Sequence, residues 1–294
     1  MITPDRLLKA ISQAFNTTSA SSPPLSINSA VSGGSINSCY KLLQGNKKYF
    51  IKVNDLASYP RMFSKEAEGL NLIRSTGTIK TPEVLLEGAE SGYQFLILEW
   101  VESGPNTTKA QEALGSSLAA MHRNKNQKFG LDHWNYMGSL RQSNRYHDNQ
   151  ADFFINERLL PQIEIANDKK LLDKTVNSDF EVLFNRLKNL LPPEEASLVH
   201  GDLWSGNYMI DTTDNAVLID PAVSYSHREV DLAMSTLFGG FSPVFYEAYH
   251  SVYPLEKGWL ERTSLWNLYP LLIHLNLFGT SYIAKLKQSL RPFL

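Results

Sequence analysis

The spacing of apolar residues changes period once along the chain. Over the first hundred residues they come in short runs: "SINSAVSG" (26–33), "CYKLL" (39–43), "KYFIKV" (48–53), "EVLLEG" (83–88) and "YQFLILEWV" (93–101). Runs of this length and content predict strands, with Gly45–Asn46 as a tight hairpin turn between the second and third. Residues 61–74 interrupt them with a helical pattern that puts Phe63, Ala67, Leu70 and Ile73 on one face. A further helix is expected near the N-terminus, opening at Thr3–Pro4–Asp5 and carrying Leu7, Leu8, Ile11, Ala14 and Phe15 at helical spacing. From Gly104 onward the period is helical almost throughout, over 108–122, 151–166, 178–191, 228–238, 243–251 and 261–290. The exception is a loop and strand between about 198 and 220.

This order predicts an α+β fold in two lobes. Residues 1–102 form a small antiparallel-sheet lobe with one key helix, and 103–294 a larger, mainly helical lobe. The join falls near 99–104, where period and composition both change, and a cleft between lobes suits a small-molecule site.

Composition narrows the partners. Of 294 residues, 43% are hydrophobic and 20% charged, with a net charge of −2, so no electrostatic pull toward nucleic acid or anionic membrane is expected. The longest apolar run, 265–278, contains Asn267, His274 and Asn276 and is too short to span a bilayer. The single cysteine, Cys39, allows no intrachain disulfide and reads as a strand residue. "MITPDRLLKAISQAF" lacks the pattern of a secretory signal, so a reducing, cytosolic setting is expected.

The chemistry concentrates in "LVHGDLWSGN" (198–207) and the "AVLID" that follows it. Asp202 and Asn207 are separated by four residues, and Asp220 ends the next apolar strand. In phosphoryl-transfer loops with this spacing, the Asp receives the hydroxyl proton, the Asn ligates Mg²⁺, and a second acid completes the metal site. Taken alone, Asp202 and Asn207 serve equally well as turn caps. His200–Gly201 before them and the strand ending in an acid after them favour the catalytic reading.

Such a site needs a phosphate-binding lysine with an acidic partner. Lys52 lies inside the apolar "YFIKV", where an unpaired ammonium is costly to bury. Glu66 falls on the apolar face of the 61–74 helix and is the candidate partner, whereas Glu68 points elsewhere. An edge-strand Lys52 and a snorkelling Glu66 are the alternative. "SGGSINS" (32–38) places Gly33, Gly34 and Ser35 where backbone N–H groups can meet phosphate oxygens, or where the chain simply turns. Glu99, Trp100 and Val101, in "LILEWVE", sit where a connector between lobes would meet an adenine edge.

From about Gly33 to Leu286 the chain resembles the fructosamine-3-kinase (ketosamine kinase) family, within the wider group of aminoglycoside- and choline-kinase-like proteins. "VHGDLWSGN", with Trp204 inside the loop, carries most of the likeness. "IDPAVSYSHREVDLAM", "FGGF…FYEAYH", "ERLLPQ" and "IHLNLFG" add to it. The resemblance implies a protein-kinase-like fold and ATP-dependent phosphorylation of the sugar 3-hydroxyl of ketosamines, free or on glycated protein lysines, with Mg²⁺. It makes Asp202 the base, Asn207 and Asp220 the metal ligands, and Lys52 with Glu66 the phosphate-positioning pair. It places Trp204, His274 and Asn276 near the sugar, and gives His227, Glu229 and Asp231 supporting roles. An aminoglycoside or choline-like alcohol is the alternative acceptor, and a non-catalytic nucleotide-binding protein the alternative class.

Overall fold

The structure, a computed structural model, describes residues 8–9, 11–12, 23–31 and 36–294. Gly33, Gly34 and Ser35, and most of the helix expected over 3–15, lie outside the described residues.

Five antiparallel strands form the smaller lobe: β1 (Leu25–Ala30), β2 (Ser38–Gln44), β3 (Lys47–Asp55), β4 (Val84–Glu90) and β5 (Tyr93–Glu99). Their spatial order is β1-β2-β3-β5-β4, which makes β3 the central strand. Period-two alternation sorts its side chains. Ile51 and Val53 join Leu42, Phe95 and Ile97 under Ile11 on one face. Lys52 points to the other face, beneath α1 (Met62–Ser75), where Phe63, Ala67 and Leu70 pack on Leu96 and Leu98.

The larger lobe is built on α2 (Thr108–Met121), α3 (Gln150–Phe153), α4 (Leu160–Asp168), α5 (Lys174–Leu190), α6 (Glu229–Leu237), α7 (Pro243–Val252), α8 (Trp259–Trp266), α9 (Leu268–Phe278) and α10 (Ile283–Leu290). Three of the expected helices differ in detail. The one predicted over 151–166 has a π-helical stretch at Phe154–Leu159, which turns Glu157 and Arg158 inward. The one predicted from 178 starts at Lys174, because Asp173 caps the Val176 N–H at 2.9 Å. The single helix expected over 261–290 is three, broken at Asn267 and at Gly279, whose φ is 88°.

Residues 123–149 carry no helical period, yet they hold three short strands. These are β6 (Lys125–Asn126), β7 (Asn135–Met137) and β8 (Leu140–Gln142). Two- and three-residue strands leave no alternation to read. The partner of β6 is β9 (Ala196–Val199), far along the chain. After β9 come β10 (Tyr208–Ile210), β11 (Ala216–Leu218) and β12 (Ser224–Ser226). The connector between lobes is pinned to β10 by Gly104 N–H donating to Ile210 O at 2.7 Å.

Candidate active site

Lys52 meets two carboxylates. Its Nζ lies 2.7 Å from Glu66 Oε1 and also bonds Asp220 Oδ1. Burial works against the ammonium, but Asp220 and Glu66 together hold its pKa above the ordinary lysine value. Burial also pushes the Glu66 carboxyl up, against the pull of that ammonium. The ammonium governs this group, since discharging it would leave two acids facing each other without a counter-charge. Asp220 reaches Lys52 from a left-handed backbone, φ 54°, a conformation that Asp tolerates better than most residues. The pairing thus joins the central strand, α1 and the segment after β11.

The loop that presents Asp202 is braced from behind by Asp231 on α6. Asp231 accepts the backbone N–H of His200 at 2.7 Å, that of Gly201 at 2.8 Å and His122 Nε2–H at 3.0 Å. His122 Nδ1 in turn accepts from the Tyr249 hydroxyl at 2.7 Å. Burial would push the Asp231 carboxyl up, but these donors outweigh it and hold it below the ordinary value. His200 is the neutral tautomer. Its Nε2–H donates to Ile219 O at 2.9 Å, its Nδ1 accepts Asp202 N–H, and burial keeps its pKa low. Gly201 has φ 83°, and a Cβ there would lie 2.2 Å from Ala222 O. Only glycine fits that turn.

Asp202 itself has little support. Asn207 Nδ2 donates to its carbonyl at 2.8 Å and to its Oδ2 at 2.9 Å. Burial pushes the carboxyl up to about 7, with Asp220 and Asp231 adding to that against the Asn207 bond. A carboxylate near neutrality is suited to taking up a proton. With its amide nitrogen engaged, Asn207 keeps Oδ1 for a ligand, and Asp220 keeps Oδ2. Among the described residues no cluster of three or more His, Cys, Asp or Glu is placed to hold a metal by itself. The amide and carboxylate oxygens of Asn207 and Asp220 fit Mg²⁺, which takes hard oxygen donors and fills its shell with water and phosphate.

Two cavities meet here. The larger, about 460 Å³, is lined by Cys39, Phe50, Lys52, Leu98 and Met209, together with Glu99, Trp100 and Val101 of the connector. The smaller, about 220 Å³, contains Asp202, Glu66, Tyr136, Met137, His274 and Phe278. Asn37, Trp204, Asn207 and Asp220 line both. The sequence matches the family model described as fructosamine kinase over residues 7–294. The chain belongs to the fructosamine kinase family.

Family relatives span nearly the whole molecule. A protein from a Synechocystis species named as a probable ketoamine kinase is 39% identical, over 97% of this chain and 96% of its own. Another so named, from Lactiplantibacillus plantarum, is 40% identical over 86% of this chain and 89% of its own. A solved structure from Thermobifida fusca, named as a fructosamine-3-kinase, superimposes with a TM-score of 0.86 at 30% identity, covering 97% of both chains. An aminoglycoside phosphotransferase superimposes at 0.65 with 17% identity, a likeness of fold alone. This is the kinase-like, two-lobed fold of a family of phosphotransferases.

Within that frame, one expected residue is misplaced. Asn276 does not reach the smaller cavity. Its Nδ2 donates to Gln162 O at 2.9 Å and Oε1 at 3.0 Å, tying α9 to α4. Two residues beyond His274 is about 200° around a helix, so both cannot face one pocket. Trp204 and His274 do line it. Glu229 lies away from the loop, buried against Arg262 and the Trp266 indole, and His227 stacks on that indole at 5.0 Å. Pattern reading missed the β7–β8 hairpin, whose Tyr136, Met137 and Gly138 form one wall of the cavity. Buried amides hold it: Asn135 Nδ2 donates to Val223 O, and Gln142 Nε2 to Asn135 Oδ1, both at 2.8 Å. An unexplained run of Asn and Gln between helices was the available signal.

Proposed function

We propose that the protein transfers the terminal phosphoryl group of ATP to the 3-hydroxyl of the sugar in ketosamines, which labilises the adduct and releases its amine. The observation that supports this most is the meeting of two cavities at Asn207 and Asp220, with Lys52 on the larger side and Asp202 on the smaller. In this reading ATP lies in the larger cavity, its adenine edge at Glu99, Trp100 and Val101. Lys52, held by Glu66, positions the phosphates; Gly33, Gly34 and Ser35, outside the described residues, stay candidates for phosphate contact from the sequence alone. Asn207 and Asp220 would hold Mg²⁺, which neutralises phosphate charge when bound. Asp202 orients the acceptor hydroxyl and takes its proton, while Trp204 and His274 flank the sugar. Most of the rate then comes from alignment and charge neutralisation.

An aminoglycoside is a polycation and would want free acids around the acceptor. Here Glu66 and Asp220 are both paired with Lys52. The lobes divide in this reading at 102/103, and the protein works in the cytosol on small ketosamines or glycated lysines. No described helix is long and apolar enough to cross a membrane. Fructosamine, ribulosamine and erythrulosamine adducts of one amine, assayed side by side with Mg²⁺ATP, test the reading. Phosphate located on O3 by NMR is the expected result. Transfer only to an aminoglycoside or to choline would overturn it.

A further inference from the structure

Beside the smaller cavity two helices each end at a Phe followed by a glycine of positive φ. After α6, Leu237–Phe238 runs into Gly239 and Gly240, with φ of 74° and 94°. At the end of α9, Leu277–Phe278 runs into Gly279, with φ 88°. Glycine takes such positive φ values without the steric cost a Cβ would bring. At Gly240 the demand is double, because a Cβ would lie 2.3 Å from Ser205 Cβ in the catalytic loop. Both turns leave a phenyl ring in solvent, Phe238 at 43% and Phe278 at 54% exposure.

These rings converge. Phe238 lies 5.0 Å from His274 and 6.1 Å from Trp204, between ring centroids. Phe278 lies 5.5 Å from His274 and 6.2 Å from Tyr282. Trp204 is 38% exposed, so three of the eight large exposed hydrophobics among the described residues share one patch at the cavity's lip. Single exposed apolar residues need no explanation, but a contiguous patch beside a binding site does.

We propose that Phe238 and Phe278, with the outer edges of Trp204 and Tyr282, form a subsite for the substituent on the acceptor's amine nitrogen, selecting alkyl and aryl amines over carboxylate-bearing ones. This rests on the ketosamine reading above. The reacting hydroxyl must lie at Asp202, and a cavity of about 220 Å³ holds little beyond the sugar. The amine and its substituent therefore leave across the lip. Ring faces attract a protonated amine and cover an apolar chain. His274 Nδ1–H donates to Pro270 O at 2.7 Å, which leaves Nε2 of the neutral ring as an acceptor for an N–H. The patch is made of rings, and the lysine that lines the cavity, Lys65, is already paired with Glu68 at 2.7 Å.

The test uses adducts of one sugar with methylamine, butylamine, benzylamine and glycine. Wild-type kcat/KM is expected to rise about tenfold from the methylamine to the benzylamine adduct, mostly through KM, with glycine lowest. In the Phe238→Ala/Phe278→Ala double variant the benzyl-to-methyl ratio is expected to shrink toward one. A wild-type ratio near one, which needs no variant, overturns the subsite and leaves the proposed function standing. A double variant that loses activity equally on all adducts also overturns it, since the rings would then be structural. No turnover of any adduct overturns the proposed function and the subsite with it.

Discussion

Asp231, on α6, braces the loop that carries Asp202, and their environments push the two carboxyls in opposite directions. Burial raises both. Asp231 receives two backbone N–H groups and a histidine N–H, and ends below its ordinary value. Asp202 receives one side-chain amide, faces two other acids, and rises to about 7. The number of donors, rather than depth, decides which carboxylate keeps its charge. Asp231 is thereby a fixed anchor and Asp202 a group that can gain or lose a proton near neutral pH.

Exchanging the chemistry of the front residue should have the largest effect. Asp202→Asn is expected to lower kcat by about 10³-fold in a ketosamine assay. The same change should stabilise the fold in alkali. A carboxyl raised in the native state contributes stability below its unfolded value near 4, and that contribution is lost as pH rises through about 7. The variant should therefore gain about 2 kcal/mol over wild type at pH 8, discounted for the open cavity side, and almost nothing at pH 4. Thermal melts at both pH values check this.

The rear residue should behave in the opposite way. Asp231→Asn leaves buried donors without a charged acceptor and is expected to cost about 3 kcal/mol. Because the Asp231 pKa is lowered, its contribution is present above its unfolded value and lost as pH falls through the folded one. The deficit, read by urea unfolding, should shrink in acid. A variant as stable as wild type at pH 8 would break the comparison.

Two smaller effects sharpen it. If Asp202 is the base, kcat/KM should fall about tenfold per pH unit below its midpoint near 7, and a flat profile from pH 5 to 8 would remove it from that role. Tyr249→Phe removes the hydroxyl that bonds His122 Nδ1 and should cost only about 1 kcal/mol in unfolding free energy.

Much of this site was readable before any coordinates. Lys52 stood inside an apolar strand between Ile51 and Val53, and helical spacing put Glu66 beside Phe63 and Leu70, so the cost of burying either alone pointed to a pair over an edge-strand lysine. The hairpin walling the smaller cavity was not readable, since β7 and β8 are three residues each and are held by amide side chains rather than an apolar stripe. Asn276 was placed near the sugar by the family resemblance, but two residues beyond His274 on a helix it takes the opposite face and bonds Gln162.

The sequence alone determined the two-lobed order of strands and helices, the loop with Asp202 and Asn207, and the acid that ends the next strand, because each rests on spacings of a few residues. Tertiary structure decided the rest. Asp231 meets His122 across 109 positions of chain, and Lys52 meets Asp220 across 168. Phe238 and Phe278 reach one lip only because two helices end beside it. Local periodicity reports which face a residue occupies, but only the packed chain shows what stands opposite that face.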